Sequence, residues 1–133
     1  MRIVLDTNVL VAGLLSPSGP PAWILDAVLT GDIELAFDPA IRDEYEDVLR
    51  RPEFEFAPDD IGKFFAVIDR FGLLVTAPPP CLKPLPDPDD EPFLAVAAAT
   101  GGTLVTGNLK HFPPKLRQDV IVQTPRQFID SIR

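Results

Sequence analysis

The chain is poor in the residues that most catalytic chemistries need. It has one cysteine and one histidine in 133 residues. The single Cys81 excludes an internal disulfide and a thiolate zinc site, and it fits a reducing compartment. With His111 as the only imidazole, no Ser/His/Asp or Cys/His arrangement competes convincingly. Gly-rich phosphate loops and dinucleotide fingerprints are missing. No apolar run reaches the ~18 residues of a membrane span. The N-terminus starts on a strand-like segment without a signal-peptide layout, so a cytoplasmic location is expected. Positive charge is also scarce, with 12 Lys and Arg against 20 Asp and Glu and a net charge of −8. That balance argues against nonspecific nucleic-acid binding, which depends on cations neutralising phosphates. The objection weakens if several acids cluster at one site and a metal cancels them. Lys110, His111, Lys115 and Arg117 form a small basic patch, which is either a phosphate contact or a solvated loop.

The length suggests one domain, residues 1–133, and a hydrophobic fraction of 46% is enough for a core. Residues 2–6 read as a short buried strand, because Ile3, Val4 and Leu5 are apolar without alternation. A helix is predicted over 7–15, then a Pro/Gly/Ser loop, then a helix opening at Pro21 and closing before Gly31. Trp23, Ile24, Ala27 and Val28 are assigned to its buried face. Residues 33–37 follow as a strand. Asp38-Pro39 then caps a helix reaching Arg51. Ile61, Phe64, Phe65, Ile68 and Phe71 mark the apolar stripe of a helix over 58–71, capped by Gly72. Residues 73–76 resemble a strand. Residues 77–92 carry seven prolines and read as an ordered, extended loop over the site rather than a linker. A nearly all-apolar helix from Phe93 to Ala99, strands at 103–106 and 120–122, and a helix capped by Thr124-Pro125 complete the chain. Strands alternating with helices imply a three-layer α/β/α sandwich around a mostly parallel sheet. Sites in such sheets form outside the carboxyl ends of the strands.

Asp6, Glu44, Asp90 and Asn108 fall where buried strands end or helices begin, or beside an apolar helical stripe. Carboxylates beside core elements need something to offset their desolvation. A divalent cation does so, and oxygen-only ligands point to Mg²⁺ or Mn²⁺. Each position also has a plainer reading. Asp6 can be a helix cap, Glu44 a long side chain reaching solvent, and Asn108 a turn residue after Gly107. Asp90 is preferred within Asp87-Pro88-Asp89-Asp90-Glu91 because it adjoins the buried helix. Asp87 is its reserve as a metal ligand, and Asp89 and Glu91 are expected to be exposed. Thr7, Asn8 and Thr106 are placed to orient a carboxylate or a metal-bound water. Lys110 and His111 are candidate contacts to a phosphate backbone.

The stretch from Ile3 to Leu10, containing Asp6-Thr7-Asn8, resembles the first motif of PIN-domain proteins. The segments Glu44 to Pro52, Asp87 to Leu94 and Leu104 to Pro113 resemble the later motifs of a bacterial branch, in the same order. The similarity covers essentially the whole chain. It implies a metal-dependent endoribonuclease similar to the virulence-associated protein C toxins of toxin–antitoxin pairs. It further implies Mg²⁺ or Mn²⁺ as cofactor, RNA as substrate, an antitoxin partner and a homodimer. Carried over by position, Asp6, Glu44 and Asp90 match the acidic ligands, while Asn108 falls where many members have a fourth Asp. That departure leaves a second reading open: a degenerate, non-catalytic PIN module that binds a protein or RNA. A small-molecule phosphatase is a third, without the Asp-x-Asp nucleophile motif expected of one common class.

Overall fold

The computed structural model describes residues 1–133. Its sheet contains β1 (Arg2–Leu5), β2 (Glu34–Phe37), β3 (Leu73–Leu74), β4 (Thr103–Val105) and β5 (Val122–Gln123). The spatial order is β3-β2-β1-β4-β5 and every neighbouring pair is parallel. Ile3, Val4 and Leu5 of the central strand are each at most 1% exposed. Successive strand side chains point to opposite faces, so both faces of β1 are covered. Parallel neighbours require crossovers. Helices α1 (Thr7–Leu15), α2 (Pro20–Leu29), α3 (Pro39–Leu49), α4 (Pro58–Phe71) and α5 (Glu91–Thr100) lie in those leading from β1 to β4, 3-10 turns at Leu109–His111 and Pro114–Leu116 join β4 to β5, and α6 (Pro125–Ile132) follows β5. The α/β class expected from the alternation is the one found.

From β1 the chain moves one way, to β2 and β3, and later returns to β1's other side as β4. The carboxyl ends of β1 and β4 therefore flank the point where strand order reverses, the usual crevice of open parallel sheets. The register sets Leu5 beside Val105, so Asp6 and Thr106 leave the sheet side by side.

The expected elements are present, with shorter edges. β1 stops at Leu5 because Asp6, although its amide still donates to Val105 O at 2.9 Å, stands at the N-cap position of α1 and its carbonyl accepts from the Val9 amide. Val75 still donates to Phe37 O at 2.8 Å, but Ala77 at φ 50° turns the chain and β3 stays short. The last strand is 122–123 rather than 120–122, because positive φ angles at Gln118 and Asp119 delay its return to the sheet. α3 ends at Leu49, not Arg51, and a 3-10 turn follows at Pro52–Phe54. Trp23 and Phe71, assigned to buried stripes, are 48% and 61% exposed. Leu25 instead packs beside Ile24, Ala27 and Val28. Ala98 and Ala99 of α5 face solvent, so that helix is buried on only part of its circumference.

Gly72 ends α4, but not through a left-handed cap: its φ is −75°. It is there for close approach. An added Cβ would lie 2.5 Å from Ile68 O and 2.9 Å from both Leu35 O and Phe37 Cε1. Two of those atoms are backbone and cannot swing aside. Gly72→Ala is expected to cost roughly 2–3 kcal/mol, read as a lower urea midpoint at unchanged slope. A loss below about 0.5 kcal/mol would show that the α4–β3 junction relaxes freely.

Candidate metal centre

Asp6 is 7% exposed and makes no side-chain capping hydrogen bond. Its Oδ2 instead accepts from the Thr106 hydroxyl at 2.7 Å. Thr106 is fully buried at the end of β4, and its Oγ accepts from the Asn108 amide at 3.0 Å. The Gly107 amide donates to Asn8 Oδ1 at 3.3 Å. These contacts tie the loop after β4 to the start of α1. Burial pushes the Asp6 pKa up, while the Thr106 hydroxyl, the Thr7 and Asn8 amides and the His111 charge pull it back.

Glu44 is half-buried on α3 and accepts a short hydrogen bond from the Thr7 hydroxyl. Its orientation follows from the helical stripe. Ile41, Tyr45 and Leu49 are buried, and Glu44 stands at their border. Asp43 and Asp47 face solvent, and Glu46 is held in ion pairs by Arg42 and Arg50. Burial raises the Glu44 pKa, and the charges of Asp6 and Asp89 raise it further, against Thr7 and Arg51. Tyr45 has a role the sequence did not announce. Its hydroxyl donates to Leu5 O, the residue before Asp6, at 2.5 Å.

Capping and site duties are divided along the proline-rich loop. Asp87 accepts from the Asp89 amide at 3.0 Å and so caps the turn Pro88–Asp90. Asp90 is thereby freed from capping α5. It is 8% exposed, and its Oδ2 is buried without a hydrogen-bond partner of proper geometry. Its nearest basic neighbour is His111, whose Nδ1 lies 2.8 Å from Oδ2. The Asp90 pKa is pushed up to about 6, first by burial and then by Asp6 and Asp87, with His111 opposing. Asp89 is exposed as expected, whereas Glu91 is half-buried and accepts from the Leu85 amide at 3.3 Å. Buried Leu85 anchors the loop, consistent with an ordered segment.

Asp6, Glu44 and Asp90 thus lie in one electrostatic neighbourhood, with Asp6 acting on both others. No Lys or Arg forms an ion pair with any of the three. Ligand atoms of Asp87, Asp90 and His111 lie within 4.8 Å of one another. The Asn108 side chain is half-buried and makes no hydrogen bond, and Lys110 is exposed on the turn that carries His111. Oxygen-rich donors around an orphaned buried carboxylate oxygen fit a hard divalent cation. A cleft of about 330 Å³ lies elsewhere, lined by Trp23, Asp26, Arg126 and Arg133 among others.

A PIN domain family model matches residues 2–110. The chain belongs to the PIN domain family. The family read from four sequence motifs is therefore the family found. The uncharacterized protein MJ1680 of Methanocaldococcus jannaschii is 25% identical over 141 residues, covering 98% of this chain and 91% of that protein. A chain in the crystal structure of VapBC2 from Rickettsia felis, bound to a DNA fragment from their promoter, aligns with TM-score 0.60 and 15% identity. The alignment covers 93% of this chain and 98% of that one, and at such identity it shows the PIN fold alone. No helix of this PIN protein is long and apolar enough to cross a membrane.

Proposed function

We propose that this PIN protein is a metal-dependent endoribonuclease, the cytosolic toxin of a toxin–antitoxin pair. One observation carries the reading: burial raises the pKa of Asp6, Glu44 and Asp90, from three separate elements, and the charge of Asp6 raises the other two further. Such tension is what a bound cation relieves. Asp6, Glu44 and Asp90 would hold Mg²⁺ or Mn²⁺, with Asp87 in reserve and Asn108 assisting through its amide oxygen. Bound there, a divalent cation polarises a phosphate oxygen and lowers the pKa of water towards ~7. The Thr106 and Thr7 hydroxyls fix the orientation of Asp6 and Glu44. Asn8 holds the loop carrying Asn108, and Lys110 with His111 would hold RNA phosphates. An antitoxin and a second copy of the chain are the partners of this reading. Titrating metal against a labelled single-stranded RNA tests it: cleavage should appear with Mn²⁺ or Mg²⁺ and vanish on chelation. Cleavage indifferent to chelator would sink it.

The non-catalytic PIN module keeps one observation in its favour, the uncharged, unengaged Asn108 side chain. An amide offers an oxygen but no charge. Asn108→Asp is expected to tighten Mn²⁺ binding by about threefold to tenfold, because attraction at close range is largely offset by desolvation and repulsion from neighbouring acids. Calorimetry and cleavage assays on both proteins check this. Cleavage by the variant alone would favour the binding module, and no change in either would make Asn108 a turn residue.

A further inference from the structure

We propose that the cleft between α2 and α6 is a subsite for single-stranded RNA, in which the Trp23 indole stacks on a base while Arg126 and Arg133 hold phosphates of the same strand. The cleft encloses about 330 Å³ and is rimmed by the loop that joins α1 to α2. Trp23, the only tryptophan of the chain, lines it and is 48% exposed. Asp26, one turn further along α2, shares that wall. Arg126, Ile129 and Arg133 make the opposite wall, spaced as one face of α6. Ile129 is buried, so the two arginines are what this wall presents. Arg2, Arg42, Arg50 and Arg51 all form ion pairs, but neither Arg126 nor Arg133 does, in a chain with 20 acids and 12 bases. Asp130, four residues after Arg126, stays out of ion-pair reach of it.

An aromatic face beside unpaired guanidiniums suits a single strand, because every base has a π face and every link carries a charge. Arg126 and Arg133 lie about 10 Å apart along the helix. That spacing fits two phosphates of one strand rather than a single phosphate group. The cleft also adjoins the candidate metal centre. The Thr106 amide donates to Gln123 O at 3.0 Å, so Thr124 leaves the sheet beside Thr106, as Thr106 does beside Asp6. Two strand spacings, about 10 Å, separate Asp6 from Thr124, and Arg126 follows at once on α6. A strand bound in the cleft therefore needs to cross only the carboxyl ends of β5 and β4 to reach Asp6. The competing occupant is an acidic protein segment. Asp26 decides against it, since its carboxylate repels acidic side chains but accepts from the N–H groups of a base edge. The substrate class comes from the preceding reading, but binding here requires neither metal nor cleavage.

The test is the intrinsic fluorescence of the full chain in chelator at low salt, titrated with a single-stranded RNA of about ten nucleotides. Anisotropy of the same RNA, end-labelled, is the second readout. Because Trp23 is the sole tryptophan, quenching reports on this cleft. Wild type should be quenched with the same midpoint as the anisotropy change. Trp23→Leu should weaken binding about tenfold, and Trp23→Phe, which keeps a ring, by less than about threefold. Arg126→Ala should weaken binding about fivefold and lower the slope of log affinity against log salt by about 0.7. Binding without quenching, or undiminished affinity in Trp23→Leu or in Arg126→Ala, overturns the proposal. Equal quenching by poly-glutamate assigns the cleft to acidic protein segments and overturns it as well. If the variants fail to fold, wild-type quenching by RNA against poly-glutamate decides alone. RNA cleavage with Mn²⁺, assayed in parallel, keeps the two readings apart. Quenching without cleavage supports the cleft and removes the nuclease, whereas cleavage without quenching overturns the cleft and leaves the nuclease standing.

Discussion

Asp90→Asn should lower metal-dependent RNA cleavage by about a thousandfold or more and at the same time stabilise the metal-free protein at neutral pH. Both effects come from one buried charge. The Asp90 pKa stands at about 6 against an ordinary 3.8, raised by burial and by Asp6 and Asp87. The native state therefore holds a proton that the unfolded chain has released. The stability contributed by that proton is fully present below about 3.8 and is lost as pH rises through about 6. At pH 7.5 the ionised carboxylate should cost the metal-free fold roughly 1–2 kcal/mol after solvent screening is allowed for. Asparagine has no such charge, so the variant's melting temperature should vary less between pH 5 and pH 7.5. Mn²⁺ should restore wild-type stability most strongly above pH 6, because the ion competes with the proton. Thermal scans at both pH values, with and without Mn²⁺, read this directly. A variant that loses stability equally at both would show Asp90 to be a structural residue of the turn, and retained cleavage would remove it from the site.

The sequence was legible where structure is local. The stripe Ile61, Phe64, Phe65 and Ile68 lies within one helix, and its period together with Gly72 placed α4 at its observed bounds, although Phe71 left the stripe for solvent. The capping roles of Asp38 and Thr124 are equally local and stand as read, with Asp38 accepting from the Ile41 amide at 2.8 Å. Strand ends were harder, since they depend on a neighbour: β5 begins where Gln118 and Asp119 allow it to meet β4. Trp23 shows the limit of periodicity. It sits on helical spacing beside Ile24 and Ala27, yet only the partner surface decides which edge of a stripe is covered. In the candidate site, position at element ends singled out Asp6 and Asp90, and stripe geometry singled out Glu44. Thr7, Asn8 and Thr106 were legible as groups that orient a carboxylate, but which residue each one reaches was not, because these contacts join distant residues. Thr106 reaches Asp6 across 100 residues of chain, and Tyr45 reaches Leu5 across 40. The position of His111 against Asp90 likewise depends on how the proline-rich loop folds back, which no local pattern encodes.

Tyr45→Ala is expected to destabilise the protein by about 4–5 kcal/mol, and Tyr45→Phe by about 1–2. The side chain is fully buried, with its ring edge-on to Phe64 at 5.8 Å and tilted against Phe93 at 6.5 Å. Removing it opens a cavity between α3, α4 and α5 that rigid neighbours fill only in part. The phenylalanine variant keeps the packing and removes one hydrogen bond, from the hydroxyl to Leu5 O at 2.5 Å. Burial and the nearby charges of Asp6 and Glu44 hold the Tyr45 pKa well above its ordinary value, so the hydroxyl remains a donor throughout the stable pH range. That bond joins the residue after Glu44 to the residue before Asp6. It sets the spacing between α3 and the end of β1, and with it the distance between two proposed ligands. Tyr45→Phe should therefore weaken Mn²⁺ binding severalfold at temperatures where the variant is fully folded, an effect larger than its modest loss of stability accounts for. Urea unfolding gives the stability of each variant, and calorimetry on the folded Phe variant gives its metal affinity. Wild-type Mn²⁺ affinity in that variant would mean that packing of α3 alone fixes Glu44, and that the Tyr45–Leu5 bond serves only the core.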